Sequence, residues 1–307
     1  MVKMDIGLTI LNQITMMFVM MGFGYFIYYY KFMDDLGTQQ VSNILLKICG
    51  PCTIITAFNF AFNASKLKKL GFTIVLSTIV ILIGLGVARL IYGKSHRLEQ
   101  FAIAFSNAGF IGIPLVTGLL GVEYVFYLTG FLICFNLFVW TVGVYLISGQ
   151  RSLITPKLML FNPALIGTAI GLIVFVSPIK PIAPVADAIA KIGFMNTPLA
   201  MIVLGTFIAK SNLVEVFTNK AAYVVSFMRL IVVPLIILFG LKLVPNAYHD
   251  IKMVILIAAS APVGVMVAMF AQQYEGDYEY GARIVSLSTI LCLFTIPGML
   301  LLSNIVW

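Results

Sequence analysis

The chain has 307 residues, 61% of them hydrophobic and only 10% charged, where a soluble domain carries about 25% charged residues. So few polar residues cannot cover a water-soluble core, which excludes a soluble globular protein and predicts an all-α polytopic membrane protein. The net charge of +8 gathers at the ends of apolar runs rather than in a basic stripe with interleaved aromatics, which points to lipid headgroups as partners and away from nucleic acid.

Ten apolar runs come near the roughly 20 residues needed to cross hydrocarbon: 6–30, 38–63, 71–92, 98–121, 123–148, 160–178, 185–209, 219–241, 251–273 and 280–304. The first ends in Tyr28-Tyr29-Tyr30-Lys31. That is an aromatic belt, not a small-residue cleavage site, so the run reads as a span and not a signal peptide. The second contains Cys49-Gly50-Pro51-Cys52, the spacing of a dithiol redox motif. No strand pattern precedes it and it lies inside the apolar stretch from Ile44 to Phe62, so it reads as small residues around a proline kink. Lys47, beside that kink, either meets a substrate or snorkels along the helix. Asn63-Ala64-Ser65 matches the glycosylation pattern by composition alone.

The fourth run reads Phe105-Ser106-Asn107-Ala108-Gly109-Phe110-Ile111-Gly112-Ile113-Pro114. Two glycines and a proline so close together break a helix, and Ser106 and Asn107 can bond the backbone groups that the break frees. In the eighth run Arg229 stands midway. A charge at the bilayer centre costs about 2.5–3.5 kcal/mol, and arginine cannot shed its proton, so it must find carbonyls, an anion or water. We expect it to bond the C-terminal carbonyl ends of the broken helices, or else to touch substrate directly. The ninth run has a second break, Ala259-Ser260-Ala261-Pro262-Val263-Gly264.

The halves 1–150 and 151–307 resemble each other, divided by the break from Ser148 to Leu160 that holds Arg151, Pro156 and Lys157. Leu11-Asn12-Gln13 parallels Phe161-Asn162-Pro163, Pro51 parallels Pro198, Glu123-Tyr124 parallels Glu279-Tyr280, and Leu137-Phe138 parallels Leu293-Phe294. Five spans per half is odd, so the second half enters the membrane from the opposite side: two inverted five-helix repeats, ten transmembrane helices in all. With both termini outside, inner loops carry nine Lys and Arg residues against seven in outer loops, a positive-inside bias.

Paired breaks in matching spans mark a transporter's binding site. Each leaves unpaired N–H groups at a half-helix start, which favours an anion by about 0.3–2 kcal/mol. The predicted substrate-binding set is therefore Ser106, Asn107, Gly109, Gly112 and Pro114 from one break and Ser260, Pro262, Val263 and Gly264 from the other, with Arg229 and Lys47 compensating charge. No clear span carries a paired carboxylate at mid-depth, which argues against a cation antiporter. Phosphate-loop, zinc-protease and EF-hand patterns are absent and His96 and His249 are isolated, so neither a cofactor, a metal nor an enzymatic activity is expected.

The run Ser106 to Leu115 resembles the signature of the auxin efflux carrier family, which includes plant auxin carriers and bacterial malate-permease-like proteins. Asn162-Pro163, Thr197-Pro198-Leu199-Ala200 with Gly205, and Thr295-Ile296-Pro297 fit the same family, so the resemblance covers essentially the whole chain. It implies the fold shared with bile-acid/sodium symporters and sodium/proton antiporters. Spans 1, 2, 6 and 7 would form a scaffold, spans 3–5 and 8–10 a moving core, and broken spans 4 and 9 would cross. By resemblance, Asn107 and Pro114 fall on the first crossover, Pro262 on the second, and Asn136 at a polar contact of the core, which adds it to the substrate-binding set. The short central break favours a prokaryotic carrier of a mono- or dicarboxylate, such as malate or an auxin-like acid, in the cytoplasmic membrane. The expected partners are that small organic anion, membrane lipids, and a second copy through the scaffold spans. The alternative is a cation-coupled symporter or antiporter of the same fold.

The orientation has a direct test. A cysteine placed at the amino terminus should be modified by a membrane-impermeant thiol reagent in intact cells. Modification only after the cells are opened would reverse the assignment.

Overall fold

The computed structural model describes residues 2–155, 162–178 and 181–307; Pro156, Lys157 and Phe161, invoked above, lie outside the described residues. The elements are helices α1 (Val2–Tyr29), α2 (Asp35–Phe58), α3 (Ala64–Tyr92), α4 (Arg97–Ala104), α5 (Ala108–Leu119), α6 (Val122–Ser148), α7 (Pro163–Val176), α8 (Ala183–Lys210), α9 (Leu213–Thr218), α10 (Lys220–Leu241), α11 (His249–Ser260), α12 (Met266–Gln273) and α13 (Tyr278–Val306). Seven of them, α1, α2, α3, α6, α8, α10 and α13, are long and apolar enough to cross a membrane. The other three expected spans differ. The runs 98–121 and 251–273 are each two shorter helices, α4 with α5 and α11 with α12. The run 160–178 holds α7, whose 14 residues extend only about 21 Å.

Local chemistry sets the ends. The second run was expected to continue to residue 63, but α2 stops at Phe58 and Phe60 N–H bonds back to the Phe58 carbonyl at 2.8 Å. Phe60 and Phe62 instead place their rings 5.1 and 5.2 Å from Phe175, burying aromatic surface that a continued helix would not bring there. Asn63, the residue of the glycosylation pattern, is an N-cap: its Oδ1 accepts from the Ser65 and Lys66 amides at 2.9 and 3.1 Å. Asn162 caps α7 in the same way, accepting from Ala164 N–H at 2.8 Å ahead of Pro163.

Proline shapes three helices alike. The five-residue turns Leu45–Cys49 in α2, Ala108–Gly112 in α5 and Met228–Val232 in α10 are π-turns, and each stands just ahead of a proline: Pro51, Pro114 and Pro234. A proline has no N–H to donate, and its ring presses on the carbonyl four residues back. One extra residue in the preceding turn widens it, and the amide before the proline bonds five residues back, Gly50 to Leu45 and Val233 to Met228. The kink expected at Pro51 therefore takes the form of a π-turn.

The chain forms two compact units, and each draws on both sequence halves. The first comprises Met1–Ile74, Gly109–Ile133 and Leu160–Lys210. In it, α1 lies against the second half of α8 so closely that a Cβ on Gly205 would strike the Met21 carbonyl and the Gly24 backbone. Helices in lipid associate through such small residues, because no water is there to drive them together. Phe58, Phe126 and Phe175 fill the unit's aromatic core, with ring centroids 4.6–6.4 Å apart.

The second unit comprises Val75–Ala108, Cys134–Met159 and Ser211–Trp307. Here α11 is buried continuously from Val254 to Ser260. Phe101, Phe105, Phe135, Trp140 and Phe270 pack on one another edge to face or tilted. Lys252 is buried, donating to the Asn246 side chain at 2.9 Å and lying 4.7 Å from the Trp307 ring centroid.

Packing of α1 on α8 predicts a contrast. Gly205→Ala should destabilise the purified protein by about 1–3 kcal/mol through overpacking. Gly22→Ala on α1, where an added Cβ meets nothing within 4 Å, should be neutral or slightly stabilising. Equal thermal unfolding temperatures for the two variants would contradict the close approach.

Candidate functional site

Two helix breaks meet within the second unit. α4 ends at Ala104 and Phe105 turns extended, with φ −109° and ψ 110°. Ser106 then pairs as an antiparallel bridge with Val263, in the extended segment between α11 and α12. Asn107 N–H donates to the Pro262 carbonyl at 2.7 Å, and Gly264 N–H donates to the Phe105 carbonyl at 3.0 Å. Val263 N–H donates to Ser288 Oγ on α13 at 3.2 Å. The two interrupted segments therefore satisfy much of each other's backbone, as a break in hydrocarbon must. Pro262 stops α11, and Gly264 lets the segments touch: a Cβ there would sit 3.2 Å from the carbonyl oxygens of both Phe105 and Ser106.

Arg229 binds the other ends of the broken helices. It lies in the π-turn of α10 and is 2% exposed. Its Nη1 donates to the Ile103 carbonyl at 3.0 Å, Nη2 to Ala259 at 2.6 Å and Nε to Ala261 at 3.1 Å. Ile103 stands at the C-terminal end of α4, while Ala259 and Ala261 flank the C-terminus of α11. Carbonyls there carry the negative end of each helix dipole, and a planar guanidinium donates from three separate nitrogens, so it reaches three spaced carbonyls where an ammonium donates from a single nitrogen.

Ser106 and Asn107 were expected to satisfy the freed backbone with their side chains. Their main chain does this instead. Ser106 Oγ, Asn107 Nδ2 and Ser260 Oγ are buried and have no hydrogen-bond partner. The hydroxyls of Ser226, three residues before Arg229, and Thr289, next to Ser288, are in the same condition. Buried polar atoms left unpaired cost about 1–3 kcal/mol each. The Asn107 amide offers donors to a partner, and the hydroxyls can donate or accept.

The remaining predicted residues fall elsewhere. Gly109, Gly112 and Pro114 lie in the first turns of α5, and a Cβ on Gly109 would meet nothing within 4 Å. Asn136 is buried on α6. Lys47 is exposed on α2 in the first unit and joins none of these contacts. The first unit also holds a cavity of about 20 Å³ lined by Thr53, Thr117, Asn196 and Thr197 among others, room for one water. Sequence reading missed Ser288, Ser226 and Thr289. The run Ser286-Leu287-Ser288-Thr289, three hydroxyls inside an apolar helix, was the available signal.

The profile of a family described as membrane transport protein matches residues 9–300. An uncharacterised transporter of Methanothermobacter thermautotrophicus is 29% identical over 215 residues, which are 67% of this chain and 67% of that protein.

The Arg229 geometry predicts that Arg229→Lys leaves at least one of the three buried carbonyls unbonded, a loss of about 1–3 kcal/mol. The variant should fold yet unfold at a lower temperature than wild type. A lysine variant as stable as wild type would show that the three bonds carry little.

Proposed function

The chain belongs to the membrane transport protein family, the auxin efflux carriers that its sequence resembles, and on that premise we propose a secondary carrier of small organic anions. The substrate class is a mono- or dicarboxylate, malate-like or auxin-like, bound at the paired breaks of α4/α5 and α11/α12. The supporting observation is the division of labour at those breaks. Arg229 neutralises the carbonyl ends at Ile103, Ala259 and Ala261, while Asn107 Nδ2, Ser106 Oγ and Ser260 Oγ stay buried and unpaired. A carboxylate would accept from these donors and lie near the positive starts of α5 and α12.

In this reading the carrier works by alternating access in the cytoplasmic membrane, with both termini outside and the broken helices crossing in the moving part. Arg229 remains with the protein throughout, so the carbonyl ends need no mobile cation to stay compensated. That consideration ranks an uncoupled anion carrier ahead of a sodium-coupled symporter or antiporter.

Uptake of radiolabelled carboxylates into proteoliposomes tests the reading. Asn107→Ala should keep its fold and lose about 1.5–3 kcal/mol of a charge-assisted hydrogen bond, a drop in apparent affinity of roughly ten- to a hundred-fold. Carboxylates that are transported should raise the unfolding temperature of wild type and not of the variant. Wild-type uptake by Asn107→Ala would remove the site, and sodium-dependent binding at fixed pH would favour the coupled alternative.

A further inference from the structure

Half of one membrane-crossing helix carries a polar face that the described residues leave uncovered. On α2, Gln40, Asn43 and Lys47 follow one another at steps of three and four residues, and all three are exposed, so they share one helix face. None of them has a hydrogen-bond or ion-pair partner among the described residues. Lys47 is the thirteenth of the 24 residues from Asp35 to Phe58, about 18 Å along the helix and therefore close to the centre of a bilayer core about 30 Å thick. Lipid chains cannot solvate an ammonium at that depth, and Asn43 and Gln40 continue the polar face toward the start of the helix, about 12 and 8 Å along it. The neighbouring stripe, Ile44 and Ile48, is 45% and 48% exposed and apolar, as a lipid contact requires.

We propose that the Gln40–Asn43–Lys47 face of α2 lines a water-filled path from one membrane surface to mid-depth, with Lys47 as the charge that draws an acidic solute inward. The proposal rests on the carrier reading and extends it to a second element. A second copy seated on this face fits less well. A two-fold contact would bring each Lys47 toward its twin with no carboxylate opposite. The acids at the N-terminal end of α2 are engaged: Asp35 pairs with Lys210 at 2.7 Å and accepts from Tyr28 at 2.8 Å, and Asp34 caps the helix by accepting from Gly37 N–H. The path's mouth therefore keeps little free negative charge to repel an anion, and Lys31 beside it is exposed.

Cysteine accessibility in the full-length protein in membrane vesicles tests the path. Gln40→Cys, Asn43→Cys and Lys47→Cys would be made singly in a Cys52→Ala background, with Ile44→Cys and Ile48→Cys as lipid-facing comparisons and gel filtration to confirm folding. Charged methanethiosulfonates modify thiols only where water reaches them. Residues 40, 43 and 47 should react and 44 and 48 should not. At position 43 the anionic reagent should outpace the cationic one about three-fold, and Lys47→Gln should abolish that preference. Protection of 43 and 47, or disulfide-linked dimers of Asn43→Cys, would overturn the proposal, the second result by placing another copy on the face. The readout needs no transport. Normal labelling without carboxylate uptake would sink the carrier reading alone, and uptake without labelling would sink the path alone.

Discussion

A helix interrupted inside hydrocarbon exposes N–H and C=O groups that have no water to turn to, and the second unit is organised around removing that cost. The solution combines three devices. The extended residues of each break bond each other across the Ser106–Val263 bridge. Ser288 serves the Val263 amide. Arg229 gathers three carbonyls from two helix ends. Each device needs the others in register, since a shift of the bridge by one residue would carry Pro262, which has no N–H, into a donor position.

The arrangement is electrically one-sided. The carbonyl ends of α4 and α11 meet a permanent cation that belongs to the protein. Beside the breaks themselves, Ser106 Oγ, Asn107 Nδ2 and Ser260 Oγ are neutral, buried and unpaired. A fixed guanidinium within this unit also repels any mobile cation nearby. The same reasoning gives Lys47 its interest: it too sits in a π-turn ahead of a proline, but it is exposed where Arg229 is buried.

Proline and glycine act at different ranges. Pro51, Pro114 and Pro234 act on their own helices, each widening the turn before it. Glycines act between helices. Gly205 and Gly24 allow α1 and α8 to approach to backbone contact, and Gly264 does so for the two broken segments. In a membrane interior, where apolar side chains gain little by leaving lipid for protein, such contacts supply much of the association energy.

What the sequence determined by itself is local. Long apolar runs make a helical membrane protein because backbone groups in lipid must bond within their own segment, and the Gly- and Pro-rich runs pointed to both breaks, although Gly109, Gly112 and Pro114 stand inside α5, just past the interruption at Phe105–Asn107. The family was also legible, in the motif from Ser106 to Leu115. What only the tertiary structure decided are the partners. Arg229 had three admissible options, and the fold chose the carbonyls of Ile103, Ala259 and Ala261. The backbone, not the side chains, of Ser106 and Asn107 closed the break, and Ser288 entered from a helix far along the chain. Chain sequence fixes which groups lack a bond, through preferences that extend a few residues. Which distant group supplies the bond depends on how helices pack, and no spacing along the chain encodes that.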